Sequence, residues 1–485
     1  MTVATTHRAY EFGSLLGGGW RYAGQEFVTA NPARPSERVG TYQTASERDL
    51  TKAADAALSA QRAWARVPAA ERARVVGLFL DAVEARTGEI ALAITREQGK
   101  PLAESRGEIG KSLREARTML GEALRVGTAA AGSGRPGVRN VVTRRPRGVI
   151  AAITPWNFPI LTPMRKIVPA LVFGNAIVLK PSEVAPAAAC LVADASRGIV
   201  PDGLLQIVNG GGDVGRALVD LPVASGVTFT GSVEVGRAVY AAAALRLAEV
   251  SLELGGKNAA IVHDVDSLDA ALDHITGAAM LCSGQRCTAI SRVLVRRELH
   301  DAVVEGLVRR AQAFVLGDGT TEGTTLGPLV TSRQRDRVEA MVERAIAEGA
   351  RAATGGRRGT VAGLDDGFFY EPTILVDVSP ENVAAREEIF GPVVAVLPYD
   401  DLDEAFTLLN GVEYGLTAAL FSHEQRAIAR FVDECETGML HVNHGTVPDD
   451  HMPFGGIKAS GVGAPSVGPS AASFYTTEHA VYLGV

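Results

Sequence analysis

Three side chains in this 485-residue chain stand where reactive groups are usually displayed: a cysteine, a glutamate and an asparagine. Cys287 lies in Ser283-Gly284-Gln285-Arg286-Cys287-Thr288-Ala289, between a helical run (Ser267 to Leu281) and a β-branched run (Ile290 to Val295). Structural thiols usually sit inside apolar periodic segments, whereas loops between elements present nucleophiles. A nucleophilic thiol is one reading and a small buried hydrophobe the other. Glu253 occurs in Ser251-Leu252-Glu253-Leu254-Gly255-Gly256-Lys257, where strand alternation turns it away from its two leucine neighbours just before a Gly-Gly turn. It is either a base near the chemistry or part of a solvated face. Thr154-Pro155-Trp156-Asn157-Phe158-Pro159 holds an amide between two prolines. That suits a donor kept rigid at a developing oxyanion, or else a proline turn with Trp156 packed beneath.

Two further stretches could receive a nucleotide. Phe229-Thr230-Gly231-Ser232-Val233-Glu234-Val235-Gly236 joins a strand to a helix, and the N–H groups of that helix start can hold a phosphate. Leu179-Lys180-Pro181-Ser182-Glu183 closes another strand and places a lysine and an acid where ribose hydroxyls are bound in dinucleotide folds. Ordinary turn chemistry explains each of them equally well when taken alone.

The elements that must position these residues follow from periodicity. Residues 1–45 read as short strands and turns. Ser46 then caps a helix, and two more helices follow, around Ala69 to Glu97 and Leu102 to Val126. Ala129 to Gly137 reads as a linker and Val138 to Thr143 as a strand. From Gly148 short apolar runs alternate with helices at Val149–Ile153, Asn175–Lys180, Leu205–Asn209, Gly226–Thr230 and Glu249–Leu254, which predicts a wound parallel sheet. A second alternation begins after Lys257 and runs past Met439. The tail, Ser473 to Leu483, is strand-like and could pair with an arm at 138–146.

Composition narrows the partners. Hydrophobic residues make up 46%, charged residues 21%, and the formal net charge is −7 with no long basic block, which points to small molecules and away from nucleic acid or an anionic membrane. Four cysteines cannot form a disulfide framework, and none has zinc-ligand spacing with histidine. A reducing, cytoplasmic setting is expected. The first ten residues lack the order of a secretory signal, and no run of 18 apolar residues occurs.

Together these stretches form a pattern. TPWNFP (154–159), LKPSE (179–183), FTGSVEVG (229–236), LELGGKN (252–258), GQRC (284–287), EEIFGPV (387–393) and PFGGIKASG (453–461) occur in one order, and the chain resembles the aldehyde dehydrogenase superfamily from about Trp20 to Tyr482. The resemblance implies an α/β fold with a Rossmann-like parallel-sheet cofactor domain (1–127 and 147–256) and a second α/β catalytic domain (257–460). It also implies a small β oligomerisation arm and tail (128–146 and 461–485), and a homodimer or homotetramer. The implied reaction is NAD(P)-dependent, non-acylating oxidation of an aldehyde through a thioester. Cys287 would be the nucleophile, Asn157 with the Cys287 N–H the oxyanion donors, Glu253 the base that activates water, and Lys166 a supporting group.

For the cofactor, the resemblance carries Lys180 and Glu183 to the adenosine ribose, and Gly212 and Gly215 to the adenine side. Gly231 and Ser232 go to the pyrophosphate, Glu388 and Phe390 to the nicotinamide ribose, Trp156 lies along the cofactor, and Thr154, Pro155, Ser182, Phe229, Thr230, Gly236, Leu254 and Gly255 are implied as further cofactor-binding positions. Glu183 would repel a 2′-phosphate, so NAD is expected ahead of NADP. Many family members continue after the last motif with Gly-Arg-Glu, whereas here Gly463 is followed by Ala464-Pro465-Ser466, which leaves the subunit contact open. Arg165, just before Lys166, resembles an arginine of family members that oxidise aldehydes bearing a carboxylate. With Thr162 and Phe158 it would receive a small ω-semialdehyde acid, such as 2-oxoglutarate or succinate semialdehyde, Arg165 binding the carboxylate bidentately. Vanillin- or benzaldehyde-like aldehydes are the alternative within the class. A cofactor-independent cysteine hydrolase is the alternative outside it, disfavoured because none of the motifs supplies a histidine.

Overall fold

Strands buried on both faces read as unbroken apolar runs, and such runs form the centre of the larger of two main sheets. The computed structural model describes residues 9–484, so the first eight residues of the stretch read for a secretory signal lie outside the described residues. The eight strands of this sheet follow the order 461–463, 249–253, 224–230, 149–153, 176–180, 205–207, 14–16, 19–21. The five strands from Glu249–Glu253 to Leu205–Ile207 are parallel, as expected from the alternation. Chain order reverses beside Val149–Ile153, the first of the five, which has the second strand on one flank and the fourth on the other. At such a switch point the connecting segments diverge and leave a crevice at the strands' carboxyl ends. Those ends are Thr154–Asn157 and Gly231–Ser232.

The second sheet runs 351–354, 373–376, 393–399, 290–296, 258–264, 417–422, 439–442, parallel except for its first strand. Each main sheet has its own apolar core. Helix Glu47–Trp64 is capped by Ser46, whose side chain accepts from Asp49 N–H while the Asp49 carboxylate accepts from Ser46 N–H. The single helix expected from Ala69 to Glu97 is two, Ala69–Ala85 and Thr87–Gln98. Between them the Thr87 hydroxyl donates to Glu84 O at 2.6 Å and competes with the helix for that carbonyl. Among the described residues, no helix is long and apolar enough to cross a membrane.

The tail Thr476–Gly484 pairs along its length with Val138–Pro146, Thr476 opposite Pro146 and Gly484 opposite Val138. Two expected boundaries change here. Ala129–Gly137 is not only a linker, since Ala129–Ala131 adds a third strand to the arm. The span 461–485 does not all go with the arm either. Gly461–Gly463 is the edge strand beside Glu249–Glu253, and Ala471, Ala472, Phe474 and Tyr475 are buried in the first core, where apolar side chains gain more than they would beside an exposed arm.

Candidate active site

Two buried charges set the geometry around Asn157. Glu108 Oε1 accepts from the N–H groups of Ile160 and Leu161, both at 3.0 Å, and so neutralises the start of helix Leu161–Val172. Its other oxygen accepts from Lys100 Nζ at 2.7 Å, and the same amine donates to Asn157 O at 2.7 Å while lying 4.3 Å from the Phe158 ring centroid. The Asn157 peptide is thereby pinned, and the helix it leads into carries Thr162, Arg165 and Lys166. The Asn157 side chain donates one N–H to Gln285 O at 2.8 Å, and its second N–H meets no acceptor among the described residues.

The cysteine loop reaches its position through an unusual turn. Cys282 and Ser283 have φ of 57° and 53°, left-handed values that cost roughly 1–3 kcal/mol each in residues with a Cβ. Cys282 N–H donates to Glu104 at 2.8 Å and Ser283 Oγ to Gly327 O at 2.8 Å, which holds the turn. Beyond it Asn258 Nδ2 donates to the carbonyls of Cys287 (2.7 Å) and Ala289 (2.8 Å). The Cys287 N–H meets no acceptor among the described residues, so Asn157 and Cys287 each retain a free donor.

Cys287, Asn157 and Glu253 line one cavity of about 270 Å³, together with Phe158, Thr162, Arg165 and Lys166. Pro155, Trp156, Thr230, Gly231, Ser232, Leu254, Gly255, Glu388 and Phe390 complete the part of the lining expected to face a dinucleotide. Glu253 is buried and one of its oxygens has no partner among the described residues; burial pushes its carboxyl well above the usual range, against the pull of Lys166 and Arg165. Burial likewise lowers the Lys166 amine, which donates to Thr228 Oγ1 at 2.8 Å. The Cys287 thiol is pushed up to about 12 by burial and by Glu388, with Arg286 and Arg165 drawing it back.

The residues fit a dinucleotide. A Cβ at Gly255 would collide with the Glu388 carboxylate, so glycine there admits Glu388, whose Oε1 accepts from Gly256 N–H at 3.0 Å. Ser232 caps helix Val233–Ala244 at the switch point, leaving a helix N-terminus open to an anion. Trp156 and Phe390 meet edge to face at 5.5 Å. Gly236 and Phe229 do not line the cavity. Gly236 lets Leu254 pack against the helix, and Phe229 lies under Gly231. Thr154 stands behind the lining, its N–H donating to Lys180 O at 3.1 Å. Lys180 Nζ donates to Glu183 at 3.2 Å, Gly212 opens the helix Gly212–Val219, and a Cβ at Gly215 on that helix would lie 3.5 Å from the Lys180 side chain. Ser182 is turned into a local bond, accepting from Val184 N–H at 3.3 Å.

A model of the aldehyde dehydrogenase family matches residues 20–481. The chain belongs to the aldehyde dehydrogenase family. It is 36% identical over 463 residues to an alpha-ketoglutarate semialdehyde dehydrogenase of Haloferax volcanii, covering 95% of this chain and 96% of the relative. It is 39% identical over 457 residues to a 3,6-anhydro-alpha-L-galactose dehydrogenase of Streptomyces coelicolor, covering 93% and 92%. The crystal structure of an NADP-dependent enzyme from E. coli superposes with a TM-score of 0.94 at 32% identity, covering 98% of each chain. As an aldehyde dehydrogenase the protein is an NAD(P)-dependent oxidoreductase acting on aldehydes.

In this aldehyde dehydrogenase Arg165 is not the open fork expected from the sequence. Its Nε and Nη2 are held bidentately by Glu115 at 2.6 and 2.7 Å, and its guanidinium lies 4.1 Å from the Phe454 ring centroid. The acid wins because Arg165 is only 10% exposed, and a buried guanidinium without a carboxylate partner would be costly. The Nε–Nη2 edge is thereby closed, and a substrate carboxylate could reach only the remaining N–H groups of Nη1 and Nη2.

The sequence reading also missed Lys111, Leu161, Leu281, Val447, Phe454 and Ser466 in the lining. Lys111 and Glu115 look like an ordinary i,i+4 surface pair, and Phe454 could have been read from its own motif. Leu281, Val447 and Ser466 carry no local signal.

A thiol raised this far is protonated in the free enzyme at neutral pH. Alkylation of Cys287 by iodoacetamide, followed by peptide mass, is expected to accelerate about 100-fold from pH 7 to pH 9, since thiolate grows tenfold per unit below the pKa. A flat profile would contradict the burial argument.

Proposed function

We propose that the Cys287 thiol gives its proton to solvent, that the thiolate so formed attacks the aldehyde carbon, and that the resulting oxyanion is held by the free N–H of Asn157 and the backbone N–H of Cys287. The observation that carries this reading is the pair of unengaged donors beside a thiol in one cavity with a buried carboxylate. Such donors typically contribute about 3–4 kcal/mol each to the transition state. Bound along Trp156, Glu388 and Phe390, with its phosphates at Gly231 and Ser232, NAD(P) would supply the hydride acceptor. Glu253 then takes a proton from water, and the hydroxide so formed adds to the thioester and expels the Cys287 thiolate. Lys166 faces Glu253 and steadies its charge. Glu183, half exposed at the end of its strand, favours NAD over NADP.

The substrate we propose is a small ω-semialdehyde acid, in keeping with the Haloferax relative and with Arg165 on the cavity wall. Its carboxylate would take one N–H from Arg165, worth on the order of tenfold in kcat/KM. Removing Arg165 alone would leave the buried Glu115 with Lys111, at 3.0 Å, as its one cationic partner among the described residues, so the test is Arg165→Met combined with Glu115→Gln. This pair should lose about tenfold on succinate or 2-oxoglutarate semialdehyde and little on butanal. Equal losses on both would remove the carboxylate contact. The closed Arg165–Glu115 pair and the Streptomyces relative favour a second reading, an uncharged polar aldehyde, and wild-type preference for a sugar aldehyde over both acids would establish it.

We further propose a homodimer or homotetramer in a reducing, cytoplasmic setting. The arm sheet, whose outer strand Ala129–Ala131 is exposed, and four free cysteines support this.

A further inference from the structure

The stretch that departs from the family pattern, Ala464-Pro465-Ser466, is built onto the strand that carries Glu253. Glu253 pairs with Gly461 and Ser251 with Gly463, and the Ser251 hydroxyl donates to Ala464 O at 3.0 Å. Ser466 N–H then donates to Phe454 O at 2.9 Å. These bonds leave Ser466 7% exposed, on the cavity wall, with its hydroxyl 3.5 Å from Glu253 Oε1 and 3.4 Å from Phe454 O. At those lengths the hydroxyl is shared loosely between two acceptors and commits to the one that becomes more negative.

The other charged groups facing Glu253 are engaged elsewhere or cannot donate freely. Lys166 donates to Thr228 Oγ1 at 2.8 Å, Arg165 is held by Glu115 at 2.6 and 2.7 Å, and the Cys287 thiol faces it from the loop. Among the described residues Ser466 has the one hydroxyl that reaches the carboxyl.

We propose that Ser466 is a positioning residue for Glu253, turning its hydroxyl from Phe454 O to the ionised carboxylate and so holding the base in its active form and orientation. The inference rests on the reading of Glu253 as the base that activates water. Burial alone would keep much of Glu253 protonated near neutral pH, and a donor specific to the carboxylate opposes that.

Rapid mixing of the intact enzyme with NAD and aldehyde separates the NADH burst from thioester hydrolysis, and both are read from pH 6 to 10. Ser466→Ala should slow hydrolysis about tenfold at pH 7, move its basic limb up by about one unit, rejoin wild type at alkaline pH and leave the burst unchanged. Ser466→Thr, which restores the hydroxyl, should return the limb to its wild-type place. Should the alanine variant not fold, Ser466→Gly carries the same expectation. An unshifted limb, a loss equal at every pH, or a threonine variant that behaves like alanine at an unchanged melting temperature overturns the proposal. Glu253→Gln run in parallel keeps the two ideas apart. Steady-state turnover in the glutamine variant removes the base reading itself, whereas a dead glutamine variant with an unshifted alanine limb removes Ser466 alone.

Discussion

Cys287→Ala should abolish NADH formation from every aldehyde, a loss on the order of 10⁶ in kcat, the scale seen when a covalent nucleophile is removed. No other thiol can stand in. Cys282 is buried and receives a hydrogen bond from Gln98 at 3.2 Å, Cys190 is buried in the first core, and neither of these nor Cys435 lines the cavity. Cys287 is only partly buried and packs at the edge of the small apolar cluster of Leu416, Met439, Phe454 and Val467, so its truncation should change the melting temperature little. NAD binding, read by quenching of Trp156 fluorescence, should survive. NADH production by the alanine variant at more than about one part in 10³ of wild type would mean that another group forms the covalent bond, and loss of NAD binding would mean that the variant is misfolded rather than chemically disabled.

Glu253→Gln should separate the two half-reactions. The amide is isosteric and needs no charge compensation, so acylation and its burst of NADH should persist at one equivalent per site while turnover falls on the order of 10²- to 10⁴-fold, the range of a lost general base. The wild-type limb should rise with pH, because burial keeps the carboxyl protonated at low pH and only the ionised form accepts a proton from water. In the glutamine variant that limb should vanish, leaving the slow residual rate dependent on hydroxide alone. The measurement is stopped-flow absorbance of NADH over a pH series. A burst that disappears with turnover would place Glu253 in the first half-reaction, and full turnover would sink its role with water.

How far the site was legible varies by residue. The strand-end motifs were readable because their backbone chemistry is local. A strand followed by Gly-Ser and a helix start makes the same anion-receptive turn wherever it occurs, and Ser232 caps that helix as its type and place require. Cys287 was readable as loop-borne, but the turn that presents it was not, since nothing in the residue types announces left-handed backbone at Cys282 and Ser283. The helix expected from Ala69 to Glu97 broke at Arg86 because one threonine hydroxyl competes for one carbonyl, a contest that apolar periodicity does not register.

The sequence by itself determined the order of strands and helices, the parallel winding of the first sheet and the gathering of reactive side chains at strand ends and loops. Those follow from periods of two and 3.6 residues and from turn chemistry, which act over a few positions. Tertiary structure alone decided what each charge is for. Arg165 was free to be a substrate ligand until Glu115, 50 positions away, took its fork. Glu108 became the anchor of the Asn157 turn only because the fold brings it to Ile160 and Leu161, and Ser466 came to lie beside Glu253 only because Gly461–Gly463 pairs with the strand that ends there. A buried ion must find a partner, and the partner that wins is the one the packed chain brings within about 3 Å, a choice that residue types and their spacing along the chain do not contain.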